Sequence, residues 1–227
     1  MKIAVLGTGI VARTIADRVF GLGHEVTIGT RNVANTLGKL EKDGNGSAPF
    51  EEWHRTHSGI VVQTFSESAQ TAEMIFNCTS GQASVAALEM AGAAHLEGKV
   101  LIDLANPLDF SNGMPPSLNP TNTDSLGEVI QRTFPGARVV KTLNTMNAGI
   151  MVNPSKIPGT HHVFVSGNEP EAKQQVQSLL NEFGWKDEQI IDLGDITTAR
   201  GSEMLLPIWL RLWNALGTAD FNFHIQR

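Results

Sequence analysis

A single cysteine, Cys78, stands in a chain of 227 residues, so no disulfide can close within it and a disulfide-stapled secreted scaffold is excluded. Basic residues are in the minority: 17 Lys and Arg against 23 Asp and Glu leave a net charge of −6. A general nucleic-acid binder needs a basic surface to meet phosphates, so no nucleic-acid partner is expected. Long apolar runs are missing as well. The most apolar late stretch, LLPIWLRLWNAL (205–216), is too short to span a bilayer and carries Arg211. The N-terminus has one early lysine but neither an extended apolar segment nor a small-residue cleavage site. It reads as a strand rather than a signal peptide, and a cytoplasmic protein without membrane contact is expected.

The common catalytic signatures are also absent. There is no Ser-His-Asp or paired-carboxylate motif. His161 and His162 are adjacent, and on a strand they would point to opposite faces, with no H-E-x-x-H or C-x-x-C spacing to support a metal. No metal is expected. Cys78 ends an apolar run and reads as a small buried hydrophobe. Asp103 lies inside a strand-like run and reads as a local cap or pair.

What is present is alternation. Short β-rich runs lie at 3–6, 25–28, 60–62, 74–77, 100–104 and 138–143, and helix-like stretches at 11–20, 33–40, 83–95 and 124–134 fall between them. That order is the sign of βαβ units and a mainly parallel sheet, and six strands match a doubly wound Rossmann-type sheet. Two segments dense in Gly, Pro and Asn read as loops: DGNGSAP (43–49) and FSNGMPPSLNPTNTD (110–124). The second follows the fifth strand at its carboxyl end, where the ligand crevice of an open α/β sheet lies. It reads as the wall or cover of that crevice, or as a surface excursion.

Near residue 150 the pattern restarts. HVFVSG (162–167) reads as a strand, 171–183 as a helix begun at Pro170, and 189–193 as a further strand. A last helix over roughly 198–216 carries Leu205, Trp209, Trp213 and Leu216 on one stripe, with Pro207 kinking it or marking a late start. We therefore expect a dinucleotide-binding domain over 1–153 and a small α/β C-terminal domain over 154–227. The Trp209/Trp213 stripe and FNF (221–223) read as C-terminal core and dimer contact, with a platform for a flat ring as the alternative. A homodimer is expected.

GTGIVA (7–12) fits the G-x-G-x-x-A dinucleotide fingerprint, directly after a strand and directly opening a helix. Gly7 lets the chain leave the strand sharply, Gly9 lets backbone approach a pyrophosphate, and Ala12 keeps helix and sheet close. The helix N-terminus offers free N–H groups to phosphate. The second strand then ends in GHEVTIGTRN (23–32), with no acid. An NAD enzyme holds the ribose there with Asp or Glu, whereas a 2′-phosphate calls for a cation and small donors. Thr30 supplies a hydroxyl and Arg31 a planar fork, so the cofactor reads as NADP(H).

Taken in order, GTG, GHEVTIGTRN, FNCTSG (76–81), LANPL (104–108) and VVKTLNTMNAG (139–149) resemble the NADP oxidoreductases of the coenzyme F420-dependent type. The reductase domains of STEAP-type metalloreductases look related. The resemblance covers nearly the whole chain. It implies hydride transfer between NADP(H) and a deazaflavin (coenzyme F420) or flavin-like ring, with F420 or a flavin as co-substrate. It implies that Thr8, Gly9, Ile10 and Val11 lie along the pyrophosphate and that Thr30 and Arg31 meet the 2′-phosphate. Thr79 and Ser80 would lie near the nicotinamide ribose, Asn106 and Pro107 near the nicotinamide, and Asn144, Thr145 and Met146 beside the second ring. Relatives often add a lysine a turn beyond the arginine; here Asn35 stands in that zone and Lys39 one turn further. No basic cluster is evident for the anionic tail of F420. Reduction of another small molecule (an imine, a ketone or a ferric chelate) and a non-catalytic NADPH-sensing module are the alternative readings.

Overall fold

The computed structural model describes residues 1–39 and 48–226. Residues 43–47 of the breaker-rich DGNGSAP segment lie outside them, as does Leu40 at the end of one expected helix. The strands are β1 (Lys2–Leu6), β2 (Glu25–Thr30), β3 (Val61–Thr64), β4 (Met74–Asn77), β5 (Val100–Asp103), β6 (Leu108–Asp109), β7 (Ser117–Leu118), β8 (Arg138–Thr142), β9 (Val163–Gly167) and β10 (Ile190–Gly194). The helices are α1 (Ile10–Gly21), α2 (Val33–Leu37), α3 (Phe50–Thr56), α4 (Phe65–Thr71), α5 (Gly81–Ala91), α6 (Ala93–Leu96), α7 (Leu126–Thr133), α8 (Ala148–Met151), α9 (Pro170–Phe183), α10 (Ala199–Met204) and α11 (Leu206–Leu216).

Eight strands form one sheet in the order β10-β9-β8-β5-β4-β1-β2-β3, while β6 and β7 pair as a small ribbon inside the Pro/Asn-rich loop. The order β3-β2-β1-β4-β5-β8 is that of a doubly wound dinucleotide-binding sheet. Every pairing in it is parallel, as is that of β9 with β10; among the described strands of the large sheet β8 and β9 alone run antiparallel, as do β6 and β7 in their ribbon. The sheet thus has two strands more than the six expected, because β9 and β10 extend it. Residues on both sides of the expected boundary at 153/154 share this sheet.

Alternation explains why the strands read as apolar runs. Ile3, Val5, Met74, Phe76, Val100, Ile102 and Val140 face one layer, packed by Ile15 and Val19 of α1 and by Leu179 and Phe183 of α9. Ala4, Leu6, Ile75, Leu101 and Val139 face the other, against Phe65 of α4, Leu88 of α5 and Ile130 of α7. A strand buried on both faces needs apolar residues at every position.

Two helices depart from expectation. The 83–95 stretch is broken at Gly92 (φ 92°), which divides α5 from α6. The last helix is also two: α10 ends at Met204, Leu205 intervenes, and α11 takes Pro207 in its first turn, where its missing N–H costs nothing. The expected burial of its aromatic stripe as core is not found. Of α11 only Leu206 is buried, while Ile208, Trp213 and Leu216 are 46%, 46% and 56% exposed. Trp209 stacks on Phe221 at 5.4 Å, so the FNF segment covers only one side of the helix.

Two carboxylates at the start of α7 are held by arginines. Glu128 accepts from Arg200 of α10 at 2.8 and 2.5 Å and from Ser125, the N-cap of α7, at 2.8 Å. Asp124 accepts both Arg132 nitrogens at 2.9 and 2.8 Å. The Arg200 bonds hold Glu128, and the Arg132 bonds hold Asp124, below their ordinary pKa values of 4.5 and 3.8. Because both folded-state values are depressed, their stabilisation is present above the ordinary carboxylate range and lost as pH falls through the lower folded values. Urea midpoints are therefore expected to drop below about pH 4, and Arg200→Met to show a smaller drop than the unmodified chain. An equal drop in both would remove the Glu128–Arg200 pair as a cause.

Candidate active site

The carboxyl ends of β1, β2, β4, β5 and β8 share one edge of the sheet, and the predicted site residues gather along it. After β1 the chain turns at Gly7, whose φ of 123° favours glycine; a Cβ there would sit 2.7 Å from the Cys78 carbonyl oxygen. Gly9 then caps α1 without a side-chain bond to its N–H groups, and a Cβ at Gly9 would meet nothing within 4 Å. The first N–H groups of α1 thus open onto free space, the arrangement an anion requires.

Beside this turn lies a cleft of about 340 Å³, lined by Thr8, Gly9, Arg13, Thr30, Arg31, Asn32, Asn35, Thr36, Lys39 and Phe50. Among these described residues three are cationic and none is acidic. Arg31 is exposed at the rim. Thr30 is buried, and its hydroxyl shares a 2.7 Å hydrogen bond with Thr36. Asn32 caps α2 by accepting from the Asn35 N–H at 2.9 Å, which folds the chain back so that Asn35 and Lys39 face the cleft with Arg31. Arg13 donates to the Thr8 carbonyl at 2.9 Å and lies over the Phe50 ring at 5.4 Å, forming the cleft's floor. Arg13 and Phe50 escaped the sequence reading. Arg13 lies on the first helix of the fingerprint, but Phe50 arrives from a distant segment.

A second cavity, of about 300 Å³, continues along the same edge past Val11. Cys78, Thr79, Ser80, Gly81 and Gln82 line it from the end of β4, and Leu104, Ala105, Asn106, Leu108 and Phe110 from the end of β5. Thr79 donates its hydroxyl to Asn77 Oδ1 at 2.7 Å, and Ser84 ties the turn by donating to the Ser80 carbonyl at 3.1 Å. A Cβ on Gly81 would run into the Asn106 carbonyl, so this glycine lets the two turns touch. Pro107 follows Asn106 against that contact but is not among the lining residues. Burial, reinforced by the Asp103 charge, pushes the Cys78 thiol far above its ordinary pKa, so it stays protonated.

Asn144, Thr145 and Met146 are all buried, and none of them lines this cavity. Asn144 reaches it through Asn106. Asn106 donates to the Asn144 carbonyl at 2.8 Å, and Asn144 donates to Asn106 Oδ1 at 3.0 Å. Asn144 Oδ1 and Thr145 Oγ1 are buried with no hydrogen-bond partner among the described residues. Elsewhere, His161 is engaged by Asn222 at 2.9 Å and by the Pro154 carbonyl at 2.9 Å, and His162 is tied to the C-terminal segment through Phe223 and Ile225. Among the described residues no group of three or more His, Cys, Asp or Glu side chains could hold a metal, and no helix is long and apolar enough to cross a membrane.

Residues 2–107 match the family described as NADP oxidoreductase, coenzyme F420-dependent. The crystal structure of a candidate F420-dependent NADP-reductase from Arthrobacter sp. FB24 superimposes with a TM-score of 0.95 at 59% identity, over 100% of both chains. The metalloreductase STEAP3 of Rattus norvegicus is 28% identical over 92% of this chain and 38% of its own length, so this chain spans well under half of that relative. An imine reductase of Streptomyces aurantiacus shares the fold at 15% identity and a TM-score of 0.64, over 95% of this chain and 63% of its own. The chain belongs to the coenzyme F420-dependent NADP oxidoreductase family and is an NADP-dependent oxidoreductase.

Proposed function

We propose that the chain transfers a hydride directly between NADP(H) and a deazaflavin of the coenzyme F420 type, the two rings lying face to face. The observation that carries this reading is the chemistry of the inner cavity. Among the described residues its lining from Val11 to Phe110 contains no acid, no base and no cation, and the Cys78 thiol stays protonated. Ring-to-ring transfer asks for proximity and alignment rather than a proton donor, so such a lining suits it. Bound NADPH would supply the hydride itself, one hydrogen carried with two electrons.

The protein's part is then to bind, orient and exclude water. Arg31 and Thr30 meet the 2′-phosphate, with Lys39 adding charge, and Thr8, Gly9, Ile10 and Val11 follow the pyrophosphate along the start of α1. Thr79 and Ser80 hold the nicotinamide ribose, and Asn106 and Pro107 border the nicotinamide. Leu104, Leu108 and Phe110 shut out water from the apolar side. Asn144, Thr145 and Met146 position the second ring. Asn144 would do so through Asn106, a lining residue with which it exchanges hydrogen bonds at 2.8 and 3.0 Å. A flavin or ferric chelate as acceptor is the second reading, favoured by the similarity to a metalloreductase. The exposed apolar residues of α11 support a homodimer in which the chain beyond 153 supplies the contact.

Arg31→Ala is expected to weaken NADPH binding by about 1.5–3 kcal/mol, the scale of hydrogen bonds to a charged group, and to leave NADH nearly untouched. Titration of both cofactors checks this; equal weakening would make Arg31 structural. Anaerobic NADPH oxidation with F420, FMN, FAD and ferric chelate offered separately should bleach F420. Turnover only with a flavin or iron would replace the acceptor, and tight NADPH binding without any turnover would favour a sensor. By sedimentation the chain is expected to be a dimer, and Trp213→Glu a monomer that still binds NADPH.

A further inference from the structure

Lys141 lies in the middle of the sheet, on β8 beside Asp103 of β5, and is wholly buried. Its ammonium donates to Asp103 Oδ2 at 2.8 Å and to the Ala105 carbonyl, and it pairs with Glu203 Oε1 of α10 at 2.9 Å. Three donors meet three acceptors. Burial alone would pull the pKa of Lys141 down, but the Asp103 and Glu203 charges outweigh that and hold it above its ordinary value, so the ammonium is charged.

Both carboxylates accept N–H donors at both oxygens, the pattern of the ionised form. Asp103 Oδ1 takes the Asn77 amide at 2.8 Å and the Ala105 N–H at 3.1 Å. Glu203 takes the N–H groups of Leu126 and Gly127 at 2.9 and 3.0 Å. Two negative charges and one positive leave this buried set with a net charge of −1. The N-terminus of α7 offsets part of it, being worth roughly half a positive charge. The nearby Glu128–Arg200 pair is neutral as a whole.

This set lies directly behind the inner cavity. Ala105, a lining residue, is held at its N–H by Asp103 and at its carbonyl by Lys141. Thr79, also a lining residue, is reached from Asp103 through Asn77. Burial first, and then the Asp103 charge, raise the Cys78 thiol of the cavity wall above its ordinary pKa, in keeping with that placement.

We propose that Asp103, Lys141 and Glu203 form a positioning set whose net negative charge stabilises the cationic, oxidised nicotinamide over the neutral, reduced one, making the bound reduced cofactor a stronger hydride donor. The sign follows from the reaction. Transfer breaks one ring C–H bond, the hydrogen and both bonding electrons pass to the deazaflavin or flavin-like acceptor, and the nicotinamide is left with a positive charge. A negative charge held in a dry interior favours that side, and its rigid hydrogen bonds leave nothing to reorganise. The inference rests on the reading that the inner cavity receives the nicotinamide.

The test is equilibrium binding of NADPH and of NADP+ to the intact chain, with 2′,5′-ADP as a probe of the adenosine end alone. The unmodified chain is expected to bind NADP+ at least as tightly as NADPH; NADPH tighter by tenfold or more overturns the proposal. In Glu203→Gln, or in Asp103→Asn should that variant not fold, the ratio Kd(NADP+)/Kd(NADPH) should rise by about three- to tenfold with 2′,5′-ADP unchanged. At about 30 mV per decade for a two-electron couple, this raises the bound potential by about 15–30 mV. A merely structural role would weaken both cofactors by one factor, and that result overturns the proposal while leaving the cofactor reading intact. Failure of the unmodified chain to bind any of the three ligands takes both down.

Discussion

The cleft depends on two places where backbone meets backbone with no room for a side chain. At Gly7 the turn after β1 presses on the carbonyl of Cys78, at the end of β4, and at Gly81 the start of α5 presses on the carbonyl of Asn106, after β5. Because β1, β4 and β5 are consecutive in the sheet, these contacts interlock three neighbouring turns into one wall. The positive φ of Gly7 aims the first turn of α1 away from the strand and leaves its N–H groups open. A side chain at either glycine would have to push the turns apart, and the phosphate end and the inner cavity would no longer share one edge.

Behind that wall, polar groups are placed where apolar ones would pack more cheaply. Asn77, Ser84, Asp103, Lys141 and Glu203 are all buried, beside apolar core residues such as Ile75, Phe76, Ile102 and Val140. Replacing such a network with well-packed hydrophobic residues is often neutral or stabilising, whereas breaking one member strands a charge. Its value is therefore better sought in what it fixes than in stability. It ties the ends of β4, β5 and β8 to one another and, through Glu203, to the first turn of α7. The C-terminal helix α10 thus helps shape a cavity to which it contributes no lining residue.

Much of the fold was legible because strands covered on both faces show as unbroken apolar runs, and the glycine fingerprint marks where the first one ends. What escaped was either short or non-local. α4 carries a readable signal, the reciprocal Thr64–Glu67 capping box, but its seven residues are too few for a helical period to stand out. α3 brings Phe50 under Arg13, a contact between segments far apart in the chain. HVFVSG announces a buried strand, but nothing in it tells that β9 joins β8 antiparallel and prolongs the first sheet. The stripe on α11 misled for a related reason: apolar periodicity reports that a face avoids water, not that the same chain covers it. At the site, Arg31 and the glycines could be read because their backbone positions are set locally. Asp103 read as a local cap or pair, and its decisive partner on β8, Lys141, together with that lysine's second carboxylate on α10, comes from folding.

The edge of the sheet divides its labour by charge. At the outer end, Arg13, Arg31 and Lys39 face the cleft with no acid among the described lining residues, and attraction there reaches an anion before any close contact forms. At the inner end no lining residue among those described is charged, and the charges of Asp103 and Lys141 are buried behind the wall. The outer end can hold a phosphate equally well in either redox state, because phosphate charge does not change during hydride transfer. Uniform binding of that kind retains the cofactor without altering the balance of the reaction. Only groups near the ring can tell its two states apart. On the proposed reading, the region where sequence is most telling governs which cofactor binds, while the chemistry falls to side chains that only the folded sheet brings together.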